Sequence, residues 1–153
     1  MLTTAMVKML LPLVKSWCEK QEQIILRDGV PLTPTQLADA RKIGVAHPAK
    51  VRLLMVDEIP TPQHPLLVAA IKRVWADTTL TKGLTLQYGI FIRADCWDDR
   101  ELVAHELVHT MQYEKLGGFS EFLQRYITEC LTVGYTASPM EQEAVLRAAA
   151  MCG

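Results

Sequence analysis

The stretch DDRELVAHELVHTMQYEKLGG, Asp98 to Gly118, constrains the fold more than any other part of the chain. Asp98 followed three residues later by Glu101 is a capping-box arrangement, so a helix is predicted to start there. The pair Gly117-Gly118 ends it, because glycine enters the left-handed conformation of a helix C-terminus at little cost. Inside this helix His105 and His109 stand four residues apart. Four residues rise about 6 Å and return nearly to the same face. Two imidazoles placed so are either solvated, or packed with satisfied nitrogens, or joined on one metal ion. Leu102, Leu107, Val108 and Met111 supply apolar packing around them.

The rest of the chain supplies a setting for that helix. Apolar residues recur at helical spacing through Leu2, Ala5, Met6, Met9, Leu10, Leu13, Val14 and Trp17, which predicts an N-terminal helix with one apolar stripe and Pro12 inside it. Such a stripe is either core or a face for a partner. RDGVPLTPT is a loop, and Thr33 with Pro34 opens a short helix that Gly44 closes. KVRLLMVDEI reads as a strand with Val51, Leu53 and Met55 facing one way. PTPQHP is a turn, and LLVAAIKRVW is helical by its apolar spacing. GLTLQYGIFIRA predicts two short strands about Gly89, with YGIFIRA either an edge or an interior strand. Everything after Asp98 reads as helix, broken at Gly117-Gly118 and at GYTASP. Helices, then strands, then helices fit a single α+β domain over residues 1–153.

Composition narrows the function classes. Half of the 153 residues are hydrophobic and 22% charged, which suits a globular core. A formal net charge of −1 gives no electrostatic reason to expect nucleic acid or an anionic membrane as partner. The apolar run Met9 to Val14 is too short for a membrane span, lacks a preceding basic region and has no small-residue cleavage site after it. A cytoplasmic location is the expectation. Cys18, Cys96, Cys130 and Cys152 share no C-x-x-C spacing, so a thiolate zinc motif is excluded and reduced thiols are expected.

His105-Glu106-Leu107-Val108-His109 matches the His-Glu-x-x-His arrangement in which two imidazoles grip a zinc ion while the glutamate beside them takes a proton from water. A catalytic zinc has three protein ligands and one open position. The third ligand is open on spacing alone. His47 and His64 lie in upstream loops before prolines, Cys130 lies in a helix, and Glu141 and Glu143 lie in the first turn of the last helix. Ser138-Pro139-Met140-Glu141 is itself a capping box, which would account for Glu141 without any metal.

The combination of His105-Glu106-x-x-His109 with downstream Glu141-Gln142-Glu143-Ala144 resembles the gluzincins, zinc metallopeptidases with two His and one Glu as ligands. HELVHTMQYEKLGG, FLQRY, GY and PMEQEA look more closely like a group of short bacterial proteins bearing the same motif. The resemblance covers Glu101 to Ala144, is weak from Val51 to Ala94 and absent before that. It implies a compact zincin-like domain and one Zn²⁺ per chain. It implies His105, His109 and Glu141 as ligands, since Glu141 with Ala144 fits a Glu-x-x-Ala pattern whose first residue binds the metal. It implies Glu106 as general base acting on a peptide or protein substrate. Tyr135, in the turn before the last helix, is the candidate second donor to an oxyanion. Where many gluzincins have Asp or Asn after that alanine to support a ligand histidine, this chain has Val145. Asp95, Asp99, Glu143 or a backbone carbonyl would have to take that place. Trp75 and Trp97 are candidates for lining a pocket. Two rivals stand beside the peptidase: a zinc-bound zincin-like protein that serves as an interaction or structural domain, and a helical partner-binding module with a chance motif.

Overall fold

Strand β4, Gly89–Arg93, is buried on both faces and divides the core in two. The computed structural model describes residues 4–74 and 81–152. Side chains alternate along a strand, so Ile90 and Ile92 project to one side of β4 and Phe91 to the other. On the isoleucine side they meet Val51, Leu53, Leu107 and Val108. On the phenylalanine side Phe91 meets Ile25, Leu86, Phe119, Phe122 and Leu123.

Among the described residues the fold is a compact α+β domain of six α-helices and a four-stranded mixed sheet. The helices are α1 Thr4–Asp28, α2 Pro34–Ile43, α3 Pro65–Val74, α4 Arg100–Leu116, α5 Phe119–Val133 and α6 Pro139–Cys152. The remaining strands are β1 Val30–Pro31, β2 Arg52–Val56 and β3 Gly83–Leu86. The sheet runs β1-β2-β4-β3, with β2 and β4 parallel and both outer pairs antiparallel. Helices α2, α4 and α6 pack on the isoleucine side; α1 and α5 pack on the other.

The predicted pair of strands about Gly89 forms, and of the two alternatives YGIFIRA is interior: β4 sits between β2 and β3, and among the described residues the edges of the sheet are β1 and β3. Gln87 and Tyr88 make the turn between them, with Gln87 at φ 60°. Thr110 Oγ1 donates to the Gln87 carbonyl at 2.8 Å, which ties this hairpin to α4. At Gly89 a side chain would lie 3.0 Å from Cβ of Ile25, so the glycine lets α1 settle on the sheet. Val51 and Leu53 are buried, and Met55, further along β2 and beyond its pairing with β1, is 47% exposed. Of the N-terminal stripe, Leu10 is buried and Val14 and Trp17 pack partly buried against the phenylalanine-side core, while Ala5 and Met9 face solvent and Leu2 lies outside the described residues; the other buried positions of α1 are Val7, Cys18 and Ile25.

Helix ends follow local chemistry with two shifts. Thr33 and Gln36 form a reciprocal capping box, and Gly44 closes α2 at φ 108°. The cap of α4 is Asp99 rather than Asp98: a 3-10 turn at Ala94–Cys96 carries the chain one residue further, and Asp99 Oδ1 accepts from Leu102 N at 3.0 Å. Gly117 ends α4 in the left-handed conformation. At α6 the cap is rearranged. Ser138 Oγ donates to Glu129 Oε1 at 2.8 Å, and the same oxygen accepts from Met140 N at 3.0 Å. A carboxylate from α5 therefore does the capping, and Glu141 is released from it. No helix among the described residues is long and apolar enough to cross a membrane. The four cysteines are free thiols.

Arg100, at the start of α4, donates two hydrogen bonds of 2.8 Å to the buried Asp39 of α2. The Arg100 hydrogen bond holds the Asp39 carboxyl below its ordinary range against the opposing effect of burial. A carboxyl lowered on folding stabilises the fold above its unfolded value and loses that contribution as pH falls through its folded value. Asp39→Asn is therefore expected to lower Tm by a few degrees at neutral pH. The difference from wild type should shrink to nothing in acid below the folded Asp39 value, as followed by thermal melts across pH.

Candidate metal centre

Helix α4 lies between the sheet and α6, so even its polar residues Glu106, His109, Thr110 and Gln112 are buried. A buried polar group costs free energy unless it is hydrogen-bonded. Among the described residues, each buried side-chain nitrogen or oxygen has a partner. Those partners are the geometry of the site.

His105 and His109 point their Nε2 atoms at one carboxylate. His105 Nε2 lies 3.0 Å from Glu141 Oε1, and His109 Nε2 lies 3.0 Å from Glu141 Oε2. The three ligand atoms lie within 4.8 Å of one another. The arrangement follows from local structure: the helical repeat stacks the two rings on α4, and the Glu129 cap leaves Glu141 free to turn inward from α6. Tyr126 of α5 completes the cradle, its hydroxyl donating to Glu141 Oε2 at 2.6 Å.

The other sequence candidates for third ligand are placed elsewhere. Glu143 is on the same helix but bonds Gln112 and Arg147. His47 sits beside Glu114, which accepts from its backbone N–H. His64 Nδ1 accepts from Leu66 N. Cys130 is buried near Glu141, and burial, then the Glu141 charge, pushes its thiol up to about 12. It stays protonated and is a poor ligand.

The support for His109 comes from Gln112, which the sequence reading missed. Gln112 Nε2 donates to the Met140 carbonyl at 3.0 Å and to Glu143 Oε1 at 2.8 Å. With the amide nitrogen facing two acceptors, Gln112 Oε1 must face His109 Nδ1, 2.8 Å away. Nδ1 of His109 therefore donates to Gln112, which aims Nε2 at the cluster. Asp95 pairs with Arg93 and Asp99 caps α4, so neither plays this part. Glu143 does so at one remove, through the amide. The missed signal is the three-residue spacing from His109 to Gln112, which puts both on one face.

The electrostatics suit a cation. Burial pulls the His109 imidazolium down, but the hydrogen bond and charge of Glu141, with Glu106 and Gln112, outweigh it and push it up to about 9. Burial pushes Glu141 up, yet its bonds to His105, His109 and Tyr126 hold it well below the usual carboxylate range. The donor set fits a divalent ion: two imidazoles and one carboxylate, held on two packed helices. Tetrahedral zinc with bonds of about 2.0–2.2 Å needs ligand atoms roughly 3.4 Å apart, between the 3.0 Å that separates each Nε2 from its Glu141 oxygen and the 4.8 Å within which all three ligand atoms lie.

Glu106 is held from the other side. Thr85 Oγ1 donates to Glu106 Oε1 at 2.8 Å and approaches its carbonyl at 3.0 Å. Strand alternation puts Gly83 on the same face of β3 as Thr85. A Cβ on Gly83 would lie 3.0 to 3.2 Å from Glu106 Cγ, Cδ and Oε2. Gly83 therefore leaves the space the carboxylate occupies.

His105, Glu106, His109, Tyr126 and Glu141 line a cavity of about 900 Å³. Tyr135 lines it, as expected from its position before α6. Burial, then the charges of Glu141 and Glu106, keeps the Tyr135 phenol protonated well beyond its ordinary range. Among the described residues Trp17 of α1 lines the cavity, whereas Trp97 packs against the isoleucine-side core. Trp75 lies outside the described residues.

No protein-family model matches the chain, nor does any curated protein or solved structure.

Metal uptake should sort these residues. Glu141→Ala is expected to abolish tight zinc binding. Gln112→Leu should weaken it about 10–100-fold by leaving His109 Nδ1 without an acceptor. Glu143→Ala, which disturbs only the amide, should have the smallest effect. Competition titration against a zinc chelator measures all three.

Proposed function

We propose that this chain is a zinc-dependent metallopeptidase with a zincin-like fold, resembling the gluzincins. The observation that carries the proposal is the convergence of His105 Nε2, His109 Nε2 and the Glu141 carboxylate beside a separately held Glu106 in one cavity. His105, His109 and Glu141 would hold the ion. Zinc in such a set polarises a carbonyl and makes water acidic enough to ionise near neutral pH.

The chain's own groups have distinct parts. Glu106 takes a proton from water and returns it to the leaving amine. Thr85 fixes the rotamer of Glu106 through Oε1, which leaves Oε2 for proton transfer. Tyr135, kept as a phenol, donates to the oxygen on which negative charge develops. Tyr126 is committed to Glu141 and orients the third ligand. Strand β3 is the sheet edge beside the site, a position from which main-chain groups can pair with an extended substrate.

Two experiments test this reading. Protein purified without added metal should contain about one zinc per chain. It should cleave an unfolded protein substrate in a chelator-sensitive way, and Glu106→Gln should keep the zinc while losing the cleavage. A full rate in Glu106→Gln would remove Glu106 from the chemistry, and absence of zinc from wild type would remove the metal. Thr85→Val should lower kcat by at least tenfold with KM and zinc content nearly unchanged, and Thr85→Ser should restore most of it. A fall in zinc content would show that Thr85 serves the fold rather than the base.

A further inference from the structure

We infer that the cavity takes an extended peptide segment bearing apolar side chains at several positions, so that the substrates are chain segments that folded proteins keep buried. This rests on the metallopeptidase reading above and names its substrate class.

At about 900 Å³ the cavity lies near the upper end of the range of small-ligand sites, about 300–1,000 Å³, and exceeds one side chain severalfold. Its walls are apolar and come from three helices: Val14 and Trp17 of α1, Leu67 and Ile71 of α3, Phe122 and Ile127 of α5. The lining also carries the carboxylates of Asp99, Glu101, Glu106 and Glu141 and one lysine, Lys82, among the described residues; a divalent ion held by the histidines and Glu141 would offset two of those charges and leave the balance slightly negative. An acidic segment is disfavoured by that charge, and a neutral polar one gains nothing from the walls.

An acyl chain would also suit apolar walls. The peptide is favoured by β3. Gly83, Leu84 and Thr85 line the cavity, and among the described residues β3 pairs with β4 on one side only, at one end of the sheet. Its outward N–H and C=O groups call for main-chain partners, which a peptide has and a hydrocarbon lacks. Leu84, between the two residues that face Glu106, turns to the apolar side.

The test uses the full chain carrying Glu106→Gln, loaded with zinc, and fluorescently labelled hexapeptides read by polarisation. A peptide of leucine, phenylalanine and valine should bind at least tenfold more tightly than its serine and asparagine counterpart, and a glutamate-bearing version more weakly still. In the wild-type background Ile71→Asn should raise KM for the apolar peptide several-fold with zinc content unchanged; Val14→Asn serves the same purpose should Ile71→Asn fail to fold. Equal binding of apolar and polar peptides overturns the inference, as does tight binding of oleate with no peptide binding. Cleavage without apolar preference overturns it while leaving the peptidase standing. Apolar peptide binding with no cleavage by the wild type upholds the inference on the cavity and overturns the peptidase.

Discussion

The structure depends on a helix that carries charge through its own core. Helix α4 is buried between the sheet and α6, yet it holds His109, Glu106 and Gln112 inside. Each would be destabilising alone. Together they are tolerated because Glu141, Thr85, Glu143 and the Met140 carbonyl supply partners from neighbouring elements, and His109 and Gln112 bond each other. Half-satisfied buried networks are worse than apolar packing. The need to satisfy this one therefore fixes where α6 docks, which face of β3 turns inward and how Gln112 is oriented. Placement of the site and completion of the core are one requirement.

Much of this was legible in the sequence, and the parts that were not share a cause. The histidine pair, Glu106 and the ends of α2 and α4 follow from local periodicity and capping, which a sequence displays directly. Glu141 was ambiguous because its neighbours also spell a capping box; only the approach of Glu129 from α5 shows that the box is not used. Gln112 was missed because a neutral amide gives no sign of its partners until Met140 and Glu143 are in place. Thr85 and Gly83 are ordinary strand residues until β3 is found at the sheet edge facing α4.

The support of His109 by an amide also has a chemical meaning. A carboxylate behind a ligand imidazole makes it more basic and more strongly donating. Gln112 orients the ring without adding a full charge beside it, and the carboxylate of Glu143 stands one hydrogen bond further away. The proposed centre thus has a firmly aimed histidine with a moderated donor strength. That difference lies in the residue three positions after the second histidine, where a motif defined by His105, Glu106 and His109 does not look.

The cavity takes one wall from α1 and its third ligand from α6, elements far apart along the chain. A ribosome delivers the first of these long before the second. Until Glu141 has emerged and docked on α4, the emerging polypeptide has two histidines and no completed cradle. Any activity the proposed centre carries would therefore begin only after α6 has been made and docked.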